Sequence, residues 1–537
     1  MAASLVANTL ETLARRSRLK IGIDLADQPT GFVASYTTRD KIEGEVTIEA
    51  DQDTRFDSVE ITFEGTSRTT VERPPTPGYP LNQPSAFQTF LRLRQPIDET
   101  SYPEPRVFKS RRRYRFPFTF VVPEQLLPQA CSHETCNDDL RLAHLQLPPS
   151  LGDPMLASDG TSLLDDMAPE MTQISYLIRV SVKKIPSDGS SPRTITAVAK
   201  KVRIIPASVE QPPLEIPCKS DDYCVRKEKD VRRGLLRGKM GRLVMAASQP
   251  RPLQLRPPGA EPSDNNSAAS SSVVTVHLRF DPEGNELPPP LGTLYSKLKV
   301  STFFGTTPWT EYPSKSPLLA WNPSRGVYTE TVPLSTLCVS SAQWERQSSS
   351  GPSGGKDKVF YTASIIVPVS LPKGKKTFVP TFHSCLISRV YSLDLSVSYH
   401  TPNANVLAPS VSLKVPIQIT SAHRKAIPDE LLVTDLLADI TISQMQVDEE
   451  FFRPRSIAPY PQRNSCAELT SSSSTTYDNS ASDPLLQPPE YSLLPNSRPL
   501  PERATAGGID YADGGESSSS SSSIGDIPAN QTIRTCC

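Results

Sequence analysis

Cys131, His133 and Cys136 are crowded into one short stretch, and His144 follows close behind. Thiolate sulfur and imidazole nitrogen are the donors that zinc takes, so the stretch raises metal chemistry first. Its spacing is not that of a standard finger, and a fourth ligand has to come from farther along the chain. The expectation is therefore no metal and no cofactor. The remaining histidines, His277, His383, His400 and His423, stand singly in strand-like or loop-like surroundings. None pairs with a serine or cysteine in a recognisable triad, so the chain is not expected to be an enzyme.

Chemistry of recognition is better represented. Pro488-Pro489-Glu490-Tyr491 is a PPxY sequence. The paired prolines pre-set a polyproline II strand, and Tyr491 fills a pocket, which suits an aromatic-lined WW groove through Pro488, Pro489 and Tyr491. A chain with 54 prolines meets this pattern by chance often enough that its context must carry the assignment. Lys109, Arg111, Arg112, Arg113 and Arg115 precede an aromatic alternation. They read as a solvated strand entry, with contact to an anionic membrane surface as the alternative. The formal net charge is only -1, and no nucleic acid is expected as a partner. The terminal Cys536-Cys537 pair resembles neither a CaaX box nor a polybasic anchor, and its lipidation stays open.

These residues have to be positioned by strands. Leu19, Ile21 and Ile23, then Val59, Ile61 and Phe63, then Phe116, Phe118 and Phe120, then Ile174, Tyr176, Ile178 and Val180 recur with period two, the signature of half-buried antiparallel sheet. Pro117 inside the third run implies an edge strand or a bulge. A second series runs through 243–247, 273–280, 298–303, 328–334, 360–367, 387–399 and 411–419. Serine, glycine and proline clusters separate the runs, and no βαβ rhythm appears.

The expected fold is all-β, with two tandem antiparallel β-sandwiches followed by a disordered C-terminal tail. The boundaries are an N-terminal segment over 1–18, a first sandwich over 19–210 and a basic linker over 211–240. A second sandwich over 241–421, a short helical segment over 422–450 and a Ser/Pro-rich tail over 451–537 complete the chain. Residues 1–18 carry their arginines after the apolar residues, the wrong order for a secretory signal. Nine cysteines at irregular spacings in 537 residues argue against a disulfide scaffold and for a reducing compartment.

Tyr36, Asp40-Lys41-Ile42-Glu43-Gly44-Glu45-Val46 and Val59-Glu60-Ile61-Thr62-Phe63-Glu64-Gly65 are similar to the opening strand blocks of an arrestin amino-terminal domain. Tyr114-Arg115-Phe116-Pro117-Phe118 and Ile174-Ser175-Tyr176-Leu177-Ile178-Arg179-Val180 resemble its next two landmarks. Ser388-Arg389-Val390-Tyr391-Ser392-Leu393 and Leu413-Lys414-Val415-Pro416-Ile417 resemble closing strands of the carboxy-terminal domain. Thr38-Arg39-Asp40 replaces the family's usual Pro-Gly-Asp turn, and the stretches near 74–105, 130–170 and 340–357 are long insertions. With its PPxY tail, the chain resembles a fungal α-arrestin, an arrestin-related trafficking adaptor.

The resemblance implies a cytoplasmic, non-enzymatic protein recruited to the plasma membrane and endosomes. Its partners would be a WW-domain HECT ubiquitin ligase and plasma-membrane transporter or receptor cargo, which it directs to ubiquitination, endocytosis and vacuolar sorting. Because the tail has no lysine after Lys425, self-ubiquitination is expected upstream, at Lys373, Lys375 or Lys376. The alternative is an arrestin-fold sorting or coat component that acts without the ligase.

Overall fold

The computed structural model describes residues 19–26, 28, 33–72, 84–153, 164–186, 191–211, 222–233, 238–258, 271–317, 319–349, 358–372, 374–401 and 408–422. Over these residues the chain is mostly β-sheet. In the first half the strands are β1 (Leu19–Leu25), β2 (Ser35–Tyr36), β3 (Lys41–Ala50), β4 (Thr54–Arg55), β5 (Ser58–Thr70) and β6 (Ser85–Arg94). They continue as β7 (Val107–Phe108), β8 (Arg113–Val121), β9 (Thr172–Lys184) and β10 (Arg193–Ile204). One α-helix, α1 (Asp138–His144), lies between β8 and β9.

A three-stranded sheet in the order β1-β3-β8 and a five-stranded sheet in the order β2-β10-β9-β5-β6 share one hydrophobic core. The alternation predicted from sequence supplies it. Ile42, Val46 and Ile48 of β3 and Phe116, Phe118 and Phe120 of β8 join Val59, Ile61 and Phe63 of β5 and Ile174, Tyr176 and Ile178 of β9. Pro117 sits on β8, an edge strand, where a residue without an N–H is tolerated. Aromatic packing is dense: Phe56 stacks on Phe108 at 3.8 Å between ring centroids.

The second half contains β11 (Arg226–Arg232), β12 (Lys239–Ala247), β13 (Leu253–Leu255), β14 (Ser272–Pro282), β15 (Leu291–Gly305) and β16 (Arg325–Cys338). It ends with β17 (Glu345–Ser349), β18 (Lys358–Val369), β19 (Phe382–His383), β20 (Ile387–Tyr399), β21 (Ser410–Ile417) and β22 (Ile419–Ser421). Two further sheets, β11-β12-β14-β18-β17 and β16-β15-β20-β19 with β21 on β20, contribute to a second core rich in leucine and valine.

Two elements depart from the sequence expectation. Arg226–Arg232, read as part of the basic linker over 211–240, is strand β11, paired antiparallel with β12. Of its residues only Val231 is buried. An edge strand needs no apolar alternation, and its charges protect the free edge; Arg242 and Arg226 both pair with Glu228. The insertion near 130–170 holds α1, opened by Asn137, whose side-chain oxygen accepts from the Leu140 N–H at 2.8 Å. Asp138 and Asp139 fill its first turn, and Leu140, Ala143 and His144 are buried.

The halves exchange core residues. Val379, Phe382, Leu386 and Ile387 belong to the first core, and Met167 belongs to the second. Backbone bridges join Asp165 to Lys376 and Ser208 to Ser421. Among the described residues no helix is long and apolar enough to cross a membrane. The segment 1–18, the helix expected over 422–450 apart from Ala422, and the tail over 451–537 lie outside the described residues.

Candidate functional site

Among the described residues, one gathering of cysteines and histidines lies where the two halves meet. Cys131, His133, His144 and Cys385 each direct one donor atom into a common space, and the four atoms lie within 4.8 Å of one another. Three come from the insertion of the first half: Cys131 and His133 from the loop before α1, and His144 from its last turn. Cys385 comes from the short connection between β19 and β20 in the second half. Cys131, His144 and Cys385 are nearly fully buried, and His133 is half-buried.

Cys131 Sγ lies 3.6 Å from His144 Nδ1 and 3.8 Å from His133 Nδ1. His133 Nε2 lies 3.9 Å from the same sulfur and 3.1 Å from the Trp309 carbonyl oxygen, which fixes the ring. A carbonyl only accepts, so Nε2 carries a proton, and in the neutral imidazole Nδ1 is then the nitrogen with the lone pair. Trp309 is itself tied to the corner, its backbone N–H donating to the Cys385 carbonyl at 2.9 Å. The Cys136 N–H donates to the Thr310 carbonyl at 2.8 Å, stitching the same two loops.

The two thiols divide their acidity. A hydrogen bond from Cys385, opposed by burial and aided by His133 and His144, lowers the Cys131 thiol to about 3. The same bond and burial push Cys385 well above the ordinary thiol range. His144 Nε2 is also buried and has no hydrogen-bond partner.

A second junction lies nearby in the chain but differs in kind. Arg389, on β20, is fully buried. Its Nε donates to Thr302 Oγ1 at 2.9 Å, Nη1 to the Asp166 carbonyl at 2.9 Å and Nη2 to the Met167 carbonyl at 3.3 Å. The acceptor loop is preorganised: Asp166 accepts from the Gly152 N–H at 2.6 Å and the Ala168 N–H at 3.0 Å. Gly152 has φ +75°, where a Cβ would run into the Thr172 carbonyl oxygen.

The residues singled out from sequence are distributed unevenly over the structure. Cys131, His133 and His144 do converge, whereas Cys136 is exposed and stands outside the donor set, and Cys385 was not anticipated. The basic residues around β8 face acidic neighbours: Lys109 pairs with Asp53 at 3.0 Å, Arg113 approaches Glu49 at 3.9 Å and Arg115 approaches Glu45 at 3.7 Å. Lys375 is exposed and Lys376 pairs with Glu330. Lys373, Pro488, Pro489 and Tyr491 lie outside the described residues. Neither the protein-family models nor the curated proteins contain a match to this chain.

Proposed function

We propose that the chain is an arrestin-related adaptor, built on two tandem arrestin-like β-sandwiches, that recruits a WW-domain HECT ubiquitin ligase and presents membrane transporters or receptors to it. The observation that carries this is Pro488-Pro489-Glu490-Tyr491, placed well beyond the last described strand at Ser421. A docking peptide on a long connection raises the local concentration of its partner without requiring new contacts. The arrestin-like blocks of the sequence lend support, since they fall on β3, β5, β8, β9, β20 and β21 in the order that the resemblance requires. The two interlocked cores would supply the rigid frame, and exposed Lys375 is a suitable acceptor for self-ubiquitination.

The test is the full chain carrying Pro488→Ala and Tyr491→Ala together, assayed for co-purification of a WW-domain HECT ligase. Binding should be lost while the melting transition stays where it is. Ligase binding that survives both substitutions would overturn the mechanism.

A further inference from the structure

The corner formed by Cys131, His133, His144 and Cys385 has the donor chemistry of a structural metal centre. Zinc bonds to sulfur at about 2.3 Å and to imidazole nitrogen at about 2.0–2.1 Å, so tetrahedral geometry places S and N donors about 3.6 Å apart. Cys131 Sγ stands 3.6 Å from one imidazole nitrogen and 3.8 Å from the other. Two histidines and two cysteines complete a four-ligand set that selects zinc over the harder cations.

Three further features belong to such a centre. His133 offers Nδ1 while its other nitrogen is held on the Trp309 carbonyl, the outer support that ligating histidines have. The His133 and His144 rings are 5.3 Å apart and inclined by 42°, so both reach one point without stacking. Charge also balances, since a divalent cation with two thiolates and two neutral imidazoles is neutral, which a buried place demands.

We propose that Cys131, His133, His144 and Cys385 bind one zinc ion that fastens the loop-and-helix insertion of the first half to the β19–β20 connection of the second. Binding releases the remaining thiol protons to solvent and changes no oxidation state. All four positions are filled by protein, leaving none for water or substrate, so the ion is structural rather than catalytic. Strands β9 and β10 of the first half and β11 to β19 of the second lie between His144 and Cys385, so the ion closes a long loop and fixes how the two halves meet. This assignment is independent of the adaptor function.

The experiment measures metal in the full chain, purified under reducing conditions without chelator. Elemental analysis should give one zinc per chain in the wild type, close to none in Cys385→Ser and His144→Ala, and one in Cys136→Ser. Exchange of cobalt(II) for zinc in the wild-type protein should produce a thiolate-to-cobalt charge-transfer band with the ligand-field absorption of a tetrahedral S2N2 site. That spectrum keeps the test meaningful if a variant fails to fold. A wild-type protein without zinc and without the cobalt band would overturn the proposal. So would zinc retained by Cys385→Ser, or a Cys131–Cys385 disulfide in the reduced preparation.

Discussion

Among the contacts that join the halves of this molecule, two junctions solve the same problem by opposite means. At the Arg389 junction a permanently charged side chain is buried, and carbonyl and hydroxyl oxygens meet all three of its nitrogens. At the Cys/His junction the protein instead gathers two thiols and two imidazoles, the donor types that zinc takes, around one common space. The first is complete as polypeptide. The second, with the proposed zinc ion bound, is completed by four protein ligands around a metal. Stability at the first should depend on covalent structure alone, and at the second on metal activity as well.

The sharpest break in the comparison is Arg389→Met. It removes three donated hydrogen bonds and strands the Asp166 and Met167 carbonyls in a buried place, with an expected loss of about 3–5 kcal/mol. Urea denaturation should report this loss equally with and without chelator. Arg389→Lys should recover little, because one ammonium cannot reproduce the forked geometry. At the other junction, Cys385→Ser should lose what zinc contributes by mass action, about 2.7 kcal/mol when free zinc is a hundredfold above its dissociation constant. A chelator should lower the wild-type midpoint by a similar amount and leave that of Cys385→Ser unmoved.

A finer test remains within the arginine junction. Thr302→Val removes the acceptor of one nitrogen while the other two keep theirs, so the expected loss is about 1.5 kcal/mol, the low end for hydrogen bonds to charged groups. An effect as large as that of Arg389→Met would mean that the three bonds act as a unit, which a double-mutant cycle would measure.

The sequence made the sheets legible because a half-buried strand writes its environment in every second residue. Val59, Ile61 and Phe63 announce β5, and Pro117 announces an edge. It concealed β11, since an edge strand of Arg, Lys, Glu and Asp has no apolar face to display. Helix α1 was equally hidden: one short run with three buried residues is too brief for helical periodicity, and only its Asn137 cap and first-turn aspartates hinted at it. Arg389 was visible as part of a strand motif, but its burial depends on the carbonyls of Asp166 and Met167, which backbone topology alone brings near.

The metal corner shows the same limit most clearly. Cys131, His133 and His144 lie close in sequence, and that proximity raised the question of a metal, yet the expectation was none because a fourth ligand was missing; the fourth donor, Cys385, comes from the β19–β20 connection, where no local spacing marks it. Cys136 looked better in sequence and is worse in space, because it is exposed while Cys385 is buried against Cys131. Cys136→Ser should therefore change stability by no more than about 0.5 kcal/mol, as for a surface substitution whose backbone bond to Thr310 survives. Its zinc content and chelator response should match the wild type. Loss of the chelator response in Cys136→Ser would move the ligand set back to the cysteines adjacent in sequence and remove Cys385 from it.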